Sequence, residues 1–411
     1  MRKEVKIIST IIIILIILIV SNYKEKMLEK FSTRKENNEL RIAEVQIIDR
    51  YNRLQELYDD PRLEQYVPVD IIIDGQYYTY VGIRTKGSVI YNILETFRFD
   101  NYSFKVKLDY IHEEQKYNGM NELHLNTTFY DKTGMKEYLI YDMYNQMGIE
   151  TQQYCFGHLK IGDTDRGLIT ITEVINENYV QHKYNSKKGN LYKPIKGEDS
   201  EIFGADLKYK SPNKEDYKEI LENVKTSQTT EQDKDRLINI IKNINESSET
   251  SIIEDNFMDF DKIIKMIAIN KIVTSLDVFS GKPLRNYYIY EENGKIDILT
   301  FDYDLSFNPD YNKAFITENL DELDLEKCDI ETYSRIVDII IENEEYNKKY
   351  FQYIDEVQQM LKDTEIYELI DEIYIKTKDI IKGNEKKIHE YDVYEENVIM
   401  LKEFLVKRGN L

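Results

Sequence analysis

The chain has 411 residues, enough for one large domain or two ordinary ones with a packed core. Its formal net charge is −21, from 76 acidic and 55 basic side chains. A surface of that sign repels the phosphate backbone of nucleic acids, so the composition argues against a nucleic-acid partner. The two cysteines, Cys155 and Cys328, are too few and too far apart for a disulfide framework or a zinc site.

The N-terminus has a short basic run followed by an almost uninterrupted aliphatic segment at residues 7–20. A helix of that length covers about 21 Å, and its flanks extend it toward the roughly 30 Å of a bilayer core. A secretory signal has the same basic start and apolar core, but no small-residue cleavage site follows here. Residues 1–23 are therefore predicted to be a cytoplasmic tip and uncleaved single-pass membrane anchor, with the body outside the cytoplasm.

A polar segment at residues 24–60 carries apolar residues about three apart, which predicts a helical stalk. Strand hairpins and helices then alternate between residues 61 and 310, the pattern of an α+β domain. Residues 196–260 are charged and weakly helical, as in a surface insertion. Residues 311–411 are predicted to be a separate region of acidic helices.

Two lysines lie on one face of a predicted strand. The first hairpin turns at Asp74-Gly75 and is followed by the basic, glycine-containing turn Arg84-Thr-Lys-Gly-Ser88. Residues 102–108 then alternate strictly between apolar and polar, which places Lys105 and Lys107 on the same face. Such lysines are usually solvated, but one that meets a carboxylate across a cleft can bind phosphate.

A candidate carboxylate follows in the next helix. Asp131 or Thr133 can cap it, and its apolar positions recur at helical spacing until Gly148. Glu137 falls in the first turn. A carboxylate there is also favourable simply because it lies near the positive end of the helix dipole.

The stretch at residues 274–307 is the main candidate for a functional site. It contains a hairpin with an Asn-Gly turn, preceded by Asp277, with Asn286 at the start of its first strand and Asp302 after its second. Because a hairpin brings these ends together, their oxygen atoms could converge as a Mg²⁺ nucleotide site requires. Asp and Asn are also common in turns for conformational reasons alone, so both interpretations stand at this point.

These are the kinds of residue that phosphoryl transfer needs, because its catalysis depends on positioning and on neutralising phosphate charge. Their order along the chain parallels that of protein kinases. The usual kinase signatures are absent: there is no full glycine loop, no His-Arg-Asp and no Asp-Phe-Gly. Between about residues 67 and 308 the sequence nevertheless resembles the CotH family, the spore coat protein H kinases. The resemblance is carried by seven motifs in order: Val81-Gly-Ile-Arg-Thr-Lys-Gly-Ser88, Ser103-Phe-Lys-Val-Lys-Leu108, Met135-Lys-Glu-Tyr-Leu139, Gly167 to Glu173, Gly189-Asn-Leu-Tyr-Lys193, Arg285-Asn-Tyr-Tyr-Ile-Tyr290 and Phe301-Asp-Tyr-Asp-Leu-Ser-Phe307.

The resemblance implies an atypical protein-kinase-like, two-lobed fold that uses ATP and Mg²⁺, or Mn²⁺, to phosphorylate Ser or Thr of a protein substrate. It implies Lys105 as the phosphate-binding lysine, with Lys107 as the alternative, and Glu137 as its partner. Asp277 would be the catalytic aspartate. The metal ligands it implies are Asn286 and Asp302.

Three further residues, Arg84, Lys86 and Glu173, join the nucleotide-binding set that the resemblance implies. The sequence departs from the family pattern after Gly87, where the usual Asn-Ser-Ser is missing, and at Phe301, where the family has Trp. The alternative hypothesis is a membrane-anchored surface or spore-coat protein that serves in assembly or adhesion. In that case the same fold would be a scaffold without catalytic activity.

Overall fold

The computed structural model describes residues 40–62, 65–87, 101–195, 206–246, 257–275, 278–280, 285–307, 334–386 and 389–410. The chain divides between Ile42 and Ala43 into two units, and the packing described below belongs to the second, Ala43–Leu411. The membrane anchor at residues 7–20, the first part of the predicted stalk at residues 24–39 and the catalytic Asp277 lie outside these ranges. Within the ranges, no helix is both long and apolar enough to cross a bilayer.

Seven strands in the described part of the chain form a closed barrel with the order β1-β2-β3-β4-β5-β7-β6. The turn between β6 and β7 is tied to β1, since the Gly162 N–H donates to the Ile47 carbonyl at 2.8 Å. The strand bounds are Ile42–Ile48 (β1), Val67–Ile73 (β2), Gln76–Lys86 (β3), Ser103–Lys107 (β4), Glu122–Thr127 (β5), Tyr154–Ile161 (β6) and Thr164–Glu173 (β7).

Strand register separates an apolar interior from a polar outer face. Ile83 of β3 lies opposite Val106 of β4, which lies opposite Leu123 of β5, and all three are fully buried in the barrel core. Because successive side chains of a strand point to opposite faces, the neighbouring positions point outward. The pairs Arg84–Lys105 and Lys105–His124 therefore lie side by side on the outside of the barrel.

The predicted helical stalk is wrong for residues 42–48, which form β1. Apolar residues three apart suggested a helical face, but the buried side chains alternate as in a strand, and they are Ala43, Val45 and Ile47. Pairing with β2, more than twenty residues away, overrides the short helical pattern. A short helix, α1, follows at Leu54–Asp59.

The helix that carries Glu137 is confirmed as α2, Lys136–Gln146. Its start is fixed by the carboxylate of Asp131, which accepts hydrogen bonds from the backbone N–H groups of Thr133 at 2.9 Å and Lys136 at 2.8 Å. A capping carboxylate of this kind satisfies N–H groups that have no partner within the helix. A further helix, α3, follows the barrel at Glu177–Lys183.

A second, three-stranded sheet lies beyond the barrel, with the order β10-β9-β8. Its strands are Asn190–Tyr192 (β8), Tyr287–Glu292 (β9) and Lys295–Thr300 (β10). The β9–β10 hairpin is confirmed, and Asn293 and Gly294 at its turn have φ angles of 53° and 81°. These positive values are the conformation that an Asn-Gly pair adopts readily.

Helices make up most of the remaining described chain, and the mixed helix-and-sheet class is confirmed. Their bounds are Lys218–Leu221 (α4), Glu231–Glu246 (α5), Phe260–Ile272 (α6), Arg335–Glu342 (α7), Glu344–Lys362 (α8), Thr364–Gly383 (α9) and Tyr391–Gly409 (α10). The C-terminal helices pack against the domain, α8 against α6 and α9 against β7. In addition, the Arg408 guanidinium of α10 donates to the carbonyls of Ile272 at 2.7 Å and Lys271 at 2.8 Å, at the end of α6.

Candidate functional site

A group of cations lies on the outer face of β3 and β4, close to the end of β8. Its members, named here the cation cluster, are Arg84, Lys86, Lys105 and Lys193. All four surround the imidazole of His124 on β5, and burial together with these charges holds the pKa of His124 well below its ordinary value. In a protein with a net charge of −21, so many cations in one place favour binding of an anion.

Lys86 connects three elements through polar contacts. Its ammonium donates to Asn126 Oδ1 at 2.8 Å, and the Asn126 amide nitrogen in turn donates to Glu137 Oε2 at 3.0 Å. Lys86 Nζ also lies 3.6 Å from Asp302 Oδ1. One lysine therefore links β5, the first turn of α2 and the segment that follows β10.

Lys105 has a different partner from the one predicted. Its ammonium forms an ion pair with Glu122 Oε2 at 2.6 Å on the neighbouring strand β5. The predicted pairing of Lys105 with Glu137 is therefore wrong, and Lys86 approaches Glu137 instead, through Asn126. The register explains this, since Glu122 is only two residues from His124, which lies directly opposite Lys105.

The remaining members of the predicted nucleotide-binding set lie around the same sheet. Arg84 is partly buried, and its guanidinium lies over the ring of Tyr66 at 5.7 Å. Lys107 lies directly opposite Glu122 in the register of β4 and β5. Glu173 ends β7, where burial raises the pKa of its carboxyl.

Glu137 is buried, and its carboxylate is held by two hydrogen bonds. Asn126 donates to one oxygen, and the Tyr141 hydroxyl donates to the other at 2.8 Å. Burial raises the pKa of Glu137, the nearby Lys86 opposes that effect, and Asp302 adds to it. Glu137 therefore has partners in the cleft, beyond any favourable interaction with the dipole of α2.

The two ends of the β9–β10 hairpin meet, as the sequence predicted. The Phe301 N–H donates to the Asn286 carbonyl at 3.1 Å, which brings Asn286 next to the residue that precedes Asp302. Asn286 and Asp302 have φ angles of 57° and 68°, values that Asn and Asp tolerate better than most residues. Such conformations are enriched at functional sites.

The donors at this hairpin end are of the kind that Mg²⁺ prefers. A carboxylate from Asp302 and an amide oxygen from Asn286 are hard oxygen ligands, and phosphate oxygens could complete the coordination. No group of three or more His, Cys, Asp or Glu side chains arranged for a metal ion occurs in the described ranges. A cation at this site would take its remaining ligands from water or from a bound phosphate.

A buried chain of hydroxyl groups supports the segment after β10, and no sequence pattern indicated it. The hydroxyls of Tyr303 and Tyr144 lie 2.7 Å apart, and Tyr303 also donates to Thr300 Oγ1 at 2.5 Å. The Tyr144 hydroxyl donates to Asn270 Oδ1 at 2.9 Å. Asp302 is thus adjacent to a residue that joins β10 to α2 and α6.

Lys193 was also missed as a member of the site. Its ammonium lies over the ring of Phe301 at 4.9 Å and over that of Tyr288 at 5.5 Å. The available signal was its position directly after β8, at the end of the Gly189-Asn-Leu-Tyr-Lys193 motif. Which of the many lysines of the chain face the cleft depends on how the second sheet packs, and strand patterns do not contain that information.

Clustered cations beside two oxygen donors make this face of the α+β domain a candidate anion-binding site. The chain belongs to the CotH family, because the family described as CotH kinase protein matches residues 83–411. This match includes the C-terminal helices, which the seven motifs do not cover. Glu137, Asn286 and Asp302 all lie within it.

Two relatives give the range of similarity. Inner spore coat protein H of Bacillus subtilis (strain 168) is 21% identical over 264 residues, 63% of this chain and 68% of that protein. The crystal structure of the Helicobacter pylori proinflammatory kinase CtkA is 12% identical, covering 74% of this chain and 90% of that one with a TM-score of 0.31. A TM-score of that size does not establish a common fold.

Proposed function

We propose that this protein is an atypical CotH-like kinase with a two-lobed, kinase-like arrangement, which transfers phosphate from ATP to Ser or Thr hydroxyls of a protein substrate. The observation that carries the proposal is the position of Lys86, hydrogen-bonded to Asn126 and 3.6 Å from Asp302 within the cation cluster. A lysine held beside an aspartate in this way is suited to a metal-bound phosphate. Membership of the CotH family supports it.

The roles that we propose follow from these contacts. Lys86 takes the place first given to Lys105 and contacts the nucleotide phosphates, while Glu137 orients it through Asn126. The metal is proposed to be held by Asn286 and Asp302. When bound, Mg²⁺ or Mn²⁺ would neutralise charge that develops on the transferred phosphoryl group.

Asp277 is proposed to be the base that accepts the proton of the acceptor hydroxyl, as the family resemblance implies. The hydroxyl oxygen forms a bond to the γ-phosphorus while the bond from that phosphorus to the β–γ bridging oxygen breaks. ADP leaves, and the hydroxyl proton passes to the carboxylate. Such a base is useful because proton removal from the acceptor raises its nucleophilicity in the transition state.

The test is label transfer from γ-phosphate-labelled ATP to casein or to the chain itself, with Mg²⁺ or Mn²⁺. Asp302→Ala and Lys86→Met are each expected to lower the rate by about a hundredfold or more. The first removes a ligand of the metal that neutralises the phosphates, and the second removes a cation that contacts them. Lys183→Met is the control, since this lysine pairs with Glu150 at 3.0 Å. Transfer that persists at the wild-type rate in Asp302→Ala would contradict the proposal.

The second candidate function is non-catalytic assembly of a surface or spore coat, and the name of the Bacillus subtilis relative favours it. Under either function we propose a location at the spore surface or otherwise outside the cytoplasm. The anchor at residues 7–20 stays a prediction, testable by membrane fractionation and N-terminal sequencing. Partner binding that needs no ATP and survives Asp302→Ala, without label transfer by the wild type, would support the scaffold.

A further inference from the structure

Lys193 is fixed in the cleft by its backbone. Its N–H donates to the Asn223 carbonyl at 3.0 Å, and the Asn223 side-chain amide donates back to the Lys193 carbonyl at 3.0 Å. The Lys193 ammonium lies over the rings of Tyr288 and Phe301, which themselves pack together with centroids 5.2 Å apart. The position of the charge is therefore set before any ligand arrives.

The ammonium of Lys193 has unused hydrogen-bonding capacity. Lys86 donates to Asn126, and Lys105 is paired with Glu122. Across the described ranges, by contrast, the contacts of the Lys193 ammonium are with the faces of aromatic rings. An ammonium group has three N–H donors, and ring faces do not replace an oxygen acceptor.

The charges around Lys193 are mostly of its own sign. Burial and, to a lesser extent, the lysines on neighbouring elements lower its pKa to about 8, while Asp302 opposes them. The groups that face it are Lys86 on β3, Lys105 on β4, His124 on β5, Lys225 before α5, Tyr288 on β9 and Asp302 after β10. A desolvated ammonium among like charges is a poor arrangement for the free protein, and an anion would relieve it.

We infer that Lys193 binds the polyphosphate chain of the ligand, donating to a non-bridging phosphate oxygen and completing with Lys86 and Lys105 a site for several negative charges. The ligand class is a nucleoside triphosphate or a free polyphosphate, which present the same oxygens. The identification of the nucleotide rests on the proposed function, whereas the anion site rests on the contacts of Lys193.

The experiment is calorimetric titration of the full chain with tripolyphosphate, ATP and adenosine. In Lys193→Met the affinity for tripolyphosphate and for ATP should fall about tenfold, because a charge-assisted hydrogen bond is lost. Lys183→Met is the matched control: Lys183 also lies over two rings, Tyr179 and Tyr184, but its ammonium is paired with Glu150. Lys193→Arg, which keeps the charge, should retain most of the affinity.

Each outcome decides between the inference and the proposed function. Equal affinity of Lys193→Met and the wild type would overturn the inference, and wild-type label transfer would still support the kinase. If tripolyphosphate binds and ATP does not, the anion site is supported and the nucleotide proposal is overturned. If neither binds, both are overturned. If Lys193→Met does not fold, acylation of the wild type followed by mass spectrometry replaces it. Protection of Lys193 by tripolyphosphate is expected, and equal labelling would overturn the inference.

Discussion

At the scale of single residues, Lys193 makes the stability of the free protein depend on pH. Its pKa falls from 10.5 to about 8 on folding, so between these values the unfolded chain holds a proton that the folded chain has lost. The contribution of Lys193 to the free energy of unfolding therefore rises with pH through this window. Below pH 8 Lys193 is charged in both states, and its charge then lowers the free energy of unfolding by its full amount, about 3 kcal/mol at most.

The prediction is that Lys193→Met is more stable than the wild type at pH 7, and that the difference shrinks by pH 10. Urea unfolding of both proteins at pH 7, 8.5 and 10 measures it, and the other titrating groups cancel in the comparison. A constant difference between Lys193→Met and the wild type would contradict the prediction.

Sequence alone found the types of side chain in the site but not all of their pairings. Strict alternation showed that Lys105 lies on the polar face of β4, and the structure agrees. Alternation does not indicate depth within the cleft, so Lys86, one strand away, was assigned a lesser role than its contacts with Asn126 and Asp302 suggest. Asn126 was missed because an asparagine in a strand carries no pattern of its own.

At the scale of elements, the close packing of β8 against β9 depends on a residue without a side chain. A Cβ atom at Gly189 would overlap the ring of Tyr290, which is itself stacked on Tyr184 with ring centroids 3.8 Å apart. Gly189→Ala should therefore destabilise the protein by about 1–3 kcal/mol, because the stacked rings must move apart. Thermal unfolding measures the loss.

The control for this substitution is Gly383→Ala, near the end of α9. Space there is open, and alanine favours a helix more than glycine does, so this variant should unfold at the same temperature or slightly higher. An equal effect of the two substitutions would show that the contact with Tyr290 does not limit the packing of the second sheet.

Elements defined by local chemistry were predictable, and those defined by distant partners were not. Two hairpin turns, at Asp74-Gly75 and Asn293-Gly294, were located because their positive φ angles demand those residues. The strand β1 was predicted as helix because the partner that makes it a strand, β2, lies beyond α1 in the sequence. The buried hydroxyl chain around Tyr303 joins three elements and has no counterpart in any local pattern.

At the scale of the whole described domain, Arg408 links the last helix to the segment that carries the site. Its guanidinium is buried and donates to the final carbonyls of α6, where a cation also interacts favourably with the helix dipole. Burial lowers its pKa to about 10, so it stays charged at neutral pH. Helix α6 leads directly to residues 274–277.

Arg408→Met should lower the free energy of unfolding by about 3 kcal/mol, because two charge-assisted hydrogen bonds to the end of α6 are lost, although the Lys271 carbonyl keeps the Thr274 N–H as a donor. The helical circular dichroism signal and the tyrosine fluorescence should still be lost in one transition, because we expect the helices and the barrel to unfold as one cooperative unit. Circular dichroism and tyrosine fluorescence during urea unfolding measure both quantities. Two separate transitions in the wild type would show that the C-terminal helices are an independent region.

The motifs could not reveal this integration. Their resemblance ended near residue 308, and beyond it the sequence shows amphipathic helices without motifs, whose partners are not encoded in their spacing. The contacts of α8 with α6 and of α9 with β7 appear only once the chain is folded. The extent of the family match, to residue 411, agrees with them.

The amide between Lys86 and Glu137 gives their connection a polarity that a direct ion pair would lack. The Asn126 oxygen must face the ammonium and its nitrogen the carboxylate, since the flipped amide would oppose both groups. Such a spacer transmits orientation from α2 to β3 without neutralising either charge. Lys86 is thus aligned by Glu137 without a direct contact, and the carboxylate that lies beside its ammonium is Asp302, at 3.6 Å.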